Sequence, residues 1–447
     1  LVRSERGAAL SGGTLALLLC LLAALLPIDT AVSLLGLSFR VDSAFEVLGR
    51  RFALLGSDRL VLVLVFGLLS LWFYAALASG IARRLVAFGL VISALLVASL
   101  AVEPFLFGAV LIELAVLVAV PLLSPPNQPA GRGVLRFVIF ETLAMPFVLL
   151  AGFLLSGVES SPGDLQLVLH AGALLALGFA LLLAVFPFYA WIPQLCEEAH
   201  PYAVGFVLLL FPTAGLLYGL GFLDNYSFLR ESPVLGQTLS LAGLVLVVTA
   251  GAWAAFERHI ARMMGYALIV ETGLSLIALS LPAQSNGIAI FLIMIVPRAV
   301  ALLVWALAVT GIHILVPSLR YADLQGLARR LPVSSLGVVI ASLALAGAVL
   351  LACFPSRYAL LEETAAISLA TTFWILCGMA GLFIGAIRTL AVFVMAPQGS
   401  VSETLESGRQ RVAIGAGILG LFIMGIFPQW ALPIVNQLPT VFEHLGK

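Results

Sequence analysis

The chain has almost no lysine. Of its 22 basic residues 21 are arginine, and the one lysine, Lys447, is the C-terminal residue. A lysine in low-dielectric surroundings can give up its proton, because burial pulls its pKa down by several units. Arginine keeps its charge there. The absence therefore excludes a membrane-embedded lysine as a proton carrier. Cysteine is equally sparse. Cys20, Cys196, Cys353 and Cys377 are widely spaced, with no CxxC and no Cys/His cluster. No metal, haem or iron–sulfur site is expected from them, and no cofactor. Charged residues make up 10% of the chain and sum to zero, which offers nothing to a nucleic acid. No phosphate loop, dinucleotide fingerprint or nucleophile triad is present.

What fills the chain instead is apolar: 62% of its 447 residues. A soluble domain is about half apolar and a quarter charged, so this is an all-α polytopic membrane protein. A span needs roughly 20 apolar residues. Thirteen are read, at about 8–27, 59–79, 84–102, 104–124, 133–156, 165–193, 203–222, 234–256, 260–281, 287–315, 332–354, 357–396 (one long span with its broken lead-in) and 411–438. The semi-polar segment 28–58 is expected outside the bilayer. Arginines set the orientation. Segments on the N-terminal side carry thirteen basic residues, the opposite side six, and Arg298, Arg357 and Arg388 fall inside spans. The positive-inside rule makes the N-terminal side cytoplasmic.

Residues 178–221 hold two apolar runs interrupted by proline: Pro187 and Pro193 at the end of the first, Pro212 inside the second. Pro297 and Pro355 interrupt later runs. A proline inside a membrane helix removes a donor and frees a carbonyl, and such breaks line ion sites in transporters. A break at Cys353-Phe354-Pro355-Ser356-Arg357 matches the one before Trp191. Two inverted five-helix repeats, each with a proline-broken helix, follow from that match. The expected division is 1–103 for N-terminal helices and an extramembrane segment, 104–257 for the first repeat, and 258–447 for the second repeat and C-terminus.

Pro187-Phe188-Tyr189-Ala190-Trp191-Ile192-Pro193, running on to Ala203-Val204, resembles a motif of the antiporter-like membrane subunits of respiratory complex I, Mrp-type antiporters and membrane-bound hydrogenases. Phe39-Arg40-Val41-Asp42, Ile260 to Ala267, Leu324 to Pro332 and Ala346 to Phe354 resemble further motifs of that family, in the family's order. The likeness spans about residues 35–440. The chain begins with Leu rather than Met, and the family's first helix has no counterpart, so an upstream helix is expected. The resemblance implies an ion-translocating fold whose proton path runs over a buried glutamate and several lysines. The glutamate falls on Glu113. The lysine positions fall on Leu182, Pro212 and Arg357, and a further polar position falls on Glu271. Leucine and proline carry no proton, so the lysine relay is altered or lost.

Buried ionisable groups cost about 2.5–3.5 kcal/mol at the bilayer centre and are functional by default. Glu113 and Glu271 lie about ten residues into their spans and are candidate carriers. Glu113 also fits a counter-ion or a permanently neutral carboxyl, and Glu271 a partner of Arg298 or Arg357. Glu141 is a deep carboxyl or an interfacial one near Arg136. Arg298 and Arg357 are fixed charges that hold carboxylates, bind an anion or form a structural ion pair. His170 and His313 lie near helix ends, as interfacial side chains or proton relays. Glu197, Glu198 and His200 are placed in a short loop, as a solvated stretch or a proton intake.

The expected function is that of an antiporter-like subunit in a larger complex-I-like or hydrogenase-like assembly, without a redox centre of its own. Its partners are other membrane subunits, the lipid bilayer and peripheral soluble subunits, in a bacterial-type cytoplasmic membrane. The alternatives are a stand-alone or two-component ion or inorganic-carbon transporter, and a non-conducting scaffold.

Overall fold

A helix of 20 residues reaches about 30 Å, the depth of the hydrocarbon layer, and satisfies its own backbone there. Eleven helices among the described residues are long and apolar enough to cross a membrane. They are α1 (Glu5–Leu25), α2 (Arg59–Ala75), α3 (Ala82–Ala101), α4 (Gly108–Leu123), α5 (Arg132–Ser160), α8 (Pro201–Asn225), α9 (Pro233–Phe256), α10 (Ile260–Ser280), α11 (Gly287–Leu315), α14 (Leu369–Val394) and α15 (Gly408–Ile426). Two shorter apolar helices, α6 (Leu165–Leu182) and α12 (Pro332–Leu345), are each followed by an irregular stretch and a second short helix, α7 (Trp191–Glu198) and α13 (Phe354–Ile367).

The computed structural model describes every residue except 1–3, 30, 35–36, 48, 126–128, 161–164, 227–228, 230–231, 283–284, 396–405, 432–441, 443–444 and 446–447. Arg3, Arg230, Lys447 and the end of the expected span 411–438 lie outside the described residues.

Helices α10 and α11 form the centre. Their apolar stretches are 89% and 83% buried, against 28% for α1 and 17% for α15. Helices that are apolar all round and enclosed in this way leave no lipid-facing side, so a polar side chain on them meets protein. Glycines bring neighbours close: a Cβ at Gly378 would lie 2.5 Å from the Val247 carbonyl oxygen, where α14 crosses α9. Small residues at such crossings let helix backbones approach.

Both helix interruptions have one backbone design. Ala184 (φ 48°) ends α6 and Gly347 (φ 79°) ends α12 in the left-handed region. The Val185 amide donates to the Ala180 carbonyl at 2.8 Å, and the Ala348 amide to the Leu343 carbonyl at 2.9 Å. Ala184 and Gly347 donate to Leu181 and Ala344 at 3.1 and 3.0 Å. These are paired Schellman closures, which satisfy the last carbonyls of a helix that stops inside apolar surroundings.

Several expectations need correction. Pro212 and Pro297 do not break their helices; they lie inside continuous α8 and α11. Pro212 removes the donor to the Leu208 carbonyl, and the neighbouring Thr213 hydroxyl donates to the Leu209 carbonyl at 2.6 Å in the same turn. Pro193 sits in the first turn of α7 and Pro355 in the first turn of α13, where a missing donor costs nothing. Pro187 alone of the five falls in an interruption between helices, after a cis Phe186–Pro187 bond. The expected span 357–396, a long span with a broken lead-in, consists of α13 and α14, parted at Ser368 (φ −154°), whose hydroxyl caps α14 by accepting from the Thr371 amide at 3.3 Å. Glu197 and Glu198 belong to α7 rather than to a loop.

Segment 28–58 is β structure: hairpin β1 (Ala31–Leu34) with β2 (Leu37–Arg40), then β3 (Ala44–Val47) with β4 (Arg50–Ala53). Strand β5 (Val102–Glu103) adds to β4, and Arg51 pairs with Glu103 at 3.5 Å across it.

Candidate functional site

The enclosed face of α10 places Glu271 and Ser275 one helical turn apart, on one side of the helix. The second interruption delivers Arg357 from the first turns of α13, and its Nη2 forms an ion pair with the Glu271 Oε1. The partners are 2% and 1% exposed. Arg298, 3% exposed on α11, approaches from the other side. Its Nη2 donates to the Thr213 hydroxyl at 2.8 Å and its Nη1 to the Ser275 hydroxyl at 3.4 Å. Glu271 and Arg357 both act electrostatically on Arg298, as does Cys353, which precedes α13. One cluster thus gathers α8, α10, α11 and α13. The Glu271 Oε2, the Arg298 Nε and the Arg357 Nε and Nη1 have no hydrogen-bond partner.

A second polar group lies between α4 and α5. Glu113, 9% exposed, accepts from the Thr142 hydroxyl at 2.7 Å. Glu141, 3% exposed, acts electrostatically on Glu113. Each keeps a buried Oε2 without a partner, and among the described residues neither has an ion pair. Arg136, read as a neighbour of Glu141, instead donates to Gln194 at 2.8 Å. Each of these carboxyls has one free oxygen that can take or release a proton.

Leu182 and Leu183, at the end of α6, pack against Gly215 on α8, two residues beyond Thr213; a Cβ there would meet Leu183 at 3.1 Å.

The arginine-rich side carries its own network. Arg262 pairs with Glu257 at 3.3 Å and Glu197 at 3.5 Å, and Arg320 reaches Glu197 at 3.9 Å. Glu198 accepts from the Gly133 amide at 2.7 Å and caps the start of α5. Arg136, Pro187, Tyr189, Gln194, Glu197 and Arg262 line a cleft of about 490 Å³ beside the first interruption. His200, between α7 and α8, has its pKa pushed down to about 4, first by burial and then by His313 and Arg84. His313 is half-buried in the last turn of α11, its Nδ1 without a partner. His170 is exposed on α6 and joins neither cluster.

Thr142, Thr213 and Ser275 were not singled out from the sequence. The available signals were adjacency to Glu141, adjacency to Pro212 and a four-residue spacing from Glu271.

A bundle of enclosed apolar helices with two interrupted members and buried carboxyls defines an antiporter-like polytopic membrane protein. The pattern of the family described as NADH:quinone oxidoreductase/Mrp antiporter, TM, matches residues 137–385, more than half of the chain, and the protein belongs to that family. NADH-quinone oxidoreductase subunit N of Dehalococcoides mccartyi is 24% identical over 356 residues, covering 71% of each chain. The fold is similar to a chain of the membrane-bound sulfane sulfur reductase, an archaeal respiratory membrane complex (TM-score 0.79, 18% identity, 98% of this chain and 92% of that one). It is also similar to a chain of respiratory complex I from Thermus thermophilus with bound NADH (TM-score 0.74, 20% identity, 99% and 96%).

Proposed function

We propose that the chain is a proton-handling membrane subunit of a larger redox-driven assembly, working through the acid pair Glu113 and Glu141. The carrying observation is that pair: two buried carboxyls in electrostatic contact, each with an uncovered oxygen and no cation beside it. Two like charges so placed disfavour joint ionisation, which suits the pair to taking up and releasing a proton. Glu271, held by Arg357, serves as a fixed counter-ion rather than a carrier. His313 and His200 stand on the arginine-rich side as an intake, and His170 has no part.

In this reading the eleven long helices and the two interrupted ones make thirteen crossings, with the N-terminus cytoplasmic in a bacterial-type inner membrane. Residues 104–257 and 258–447 are two inverted five-helix repeats. Glu113 and Glu271 occupy the first helix of each and the interrupted helix is the third, which supports the pairing. The membrane complexes that hold similar folds support other membrane subunits as partners and a redox reaction elsewhere as the energy source.

The test is proton flux in proteoliposomes holding the chain with whatever subunits co-purify. Glu113→Gln and Glu141→Gln each reduce flux by roughly 10²-fold or more, the scale of a lost proton-transfer group. Flux unchanged in both variants removes the acid pair from the path and leaves a scaffold. Ion exchange by the chain alone favours a separate transporter.

A further inference from the structure

We infer that the α8/α10/α11/α13 cluster binds one small monovalent anion, of the chloride or bicarbonate class, between Arg298 and Arg357. The charge balance argues for it first. Two guanidiniums and one carboxylate meet inside the membrane-spanning bundle, leaving one positive charge over. Lysine in that position would shed its proton, but arginine does not. An uncompensated buried charge is strongly destabilising, so a counter-charge belongs there.

The hydrogen bonds argue for it independently. Among the described residues Arg298 hydrogen-bonds only to the hydroxyls of Thr213 and Ser275. Both hydroxyls already donate to backbone carbonyls, Leu209 at 2.6 Å and Glu271 at 2.8 Å, so they accept from Arg298 without neutralising it. The Arg298 Nε and the Arg357 Nε and Nη1 are left without acceptors. The first turn of α13, which carries Arg357, adds the positive end of a 14-residue helix.

The class of ligand follows. Arg298 and Arg357 are 3% and 2% exposed within the single chain, so a partner's side chain does not reach them, and a ligand between them has to be a small ion. A monovalent anion brings the cluster to neutrality; a divalent one overshoots it. Glu113 and Glu141 do not serve, since neither forms an ion pair with either arginine. The inference concerns binding alone and stands whether or not the acid pair conducts protons.

The experiment uses the full chain with its co-purifying subunits, washed into chloride-free gluconate buffer. Equilibrium binding of radioactive chloride is measured, with thermal stability in chloride against gluconate at equal ionic strength. The expected result is one chloride per chain, displaced by bromide, with a higher Tm in chloride. Arg298→Gln, which keeps hydrogen-bonding groups and drops the charge, loses roughly 10–100-fold in affinity. Arg298→Lys, whose buried ammonium can lose its proton, binds chloride at low pH and releases it as pH rises. Absence of chloride binding with equal Tm in both salts overturns the inference, and so does binding that Arg298→Gln leaves intact. Should Arg298→Gln fail to fold, the wild-type salt comparison and Arg298→Lys still decide.

Discussion

Glu271→Gln is the sharpest perturbation of the central ion pair. It keeps the size of the side chain and deletes the charge facing Arg357. Both partners are at most 2% exposed, so water does not replace the lost partner. Arg357 already has two unbonded donors, Nε and Nη1, and the variant deprives its last charged contact. Breaking a buried pair from one side costs about 3–5 kcal/mol. The mirror variant, Arg357→Gln, costs less, about 1–3 kcal/mol, because an orphaned carboxylate can take up a proton where an orphaned arginine cannot lose one. The double variant removes both charges and costs about 2 kcal/mol, chiefly in lost hydrogen bonds. The coupling read from the cycle is then about 2–6 kcal/mol. The assay is denaturant unfolding of the purified protein in detergent, in gluconate buffer. Single costs that add to the double within about 0.5 kcal/mol would refute the pairing. An Arg357→Gln cost above that of Glu271→Gln would refute the asymmetry.

Two further outcomes test the frame around the site. Folded His200 titrates at about 4 against 6.5 when free, so the unfolded chain takes up the proton first as pH falls. Its contribution is intact above pH 6.5 and is lost toward pH 4, by about 3 kcal/mol at most, so His200→Gln flattens stability over that range in unfolding titrations. Gly251→Leu drives a side chain into the Gly378 backbone on α14 and lowers stability by about 1–3 kcal/mol or more, read as Tm. Gly415→Leu, with nothing within 4 Å of its Cβ, serves as the control and stays within about 0.5 kcal/mol.

The sequence made the membrane crossings legible because length and apolarity alone decide them. It placed Glu113 and Glu271 about ten residues into their spans, and both are buried in the bundle. The choice of partner was not legible. Glu271 and Arg357 stand 86 residues apart, and Arg298 competed equally well on paper. Glu141 was left between a deep and an interfacial reading, and its near neighbour could not decide it: Arg136 lies five residues away in sequence but turns to Gln194 on α7. Proline misled in both directions. Pro212 looks like a break and is not one: α8 runs through it, with the Thr213 hydroxyl donating to the Leu209 carbonyl in the same turn. Ser368 looks harmless and ends a helix, because its hydroxyl caps the next. Local hydrogen bonding decides these cases, and residue type alone does not carry it.

The placement of charge bears on how the two halves communicate. The resemblance sets lysines at Leu182 and Pro212, and a proton relay across the chain would pass through them. Here Leu182 and Leu183 close on Gly215 instead, and beyond them stand two arginines that keep their protons. A proton arriving at Glu113 or Glu141 therefore meets an apolar contact and then a fixed positive field. Both oppose its onward passage, the first by desolvation and the second by repulsion. An anion beside Arg298 would weaken the second barrier and leave the first. If protons do reach the acid pair, they must return to the side they came from or leave within residues 104–257. The central cluster then acts as an electrostatic wall, and coupling across it is carried by helix movement rather than by a travelling proton.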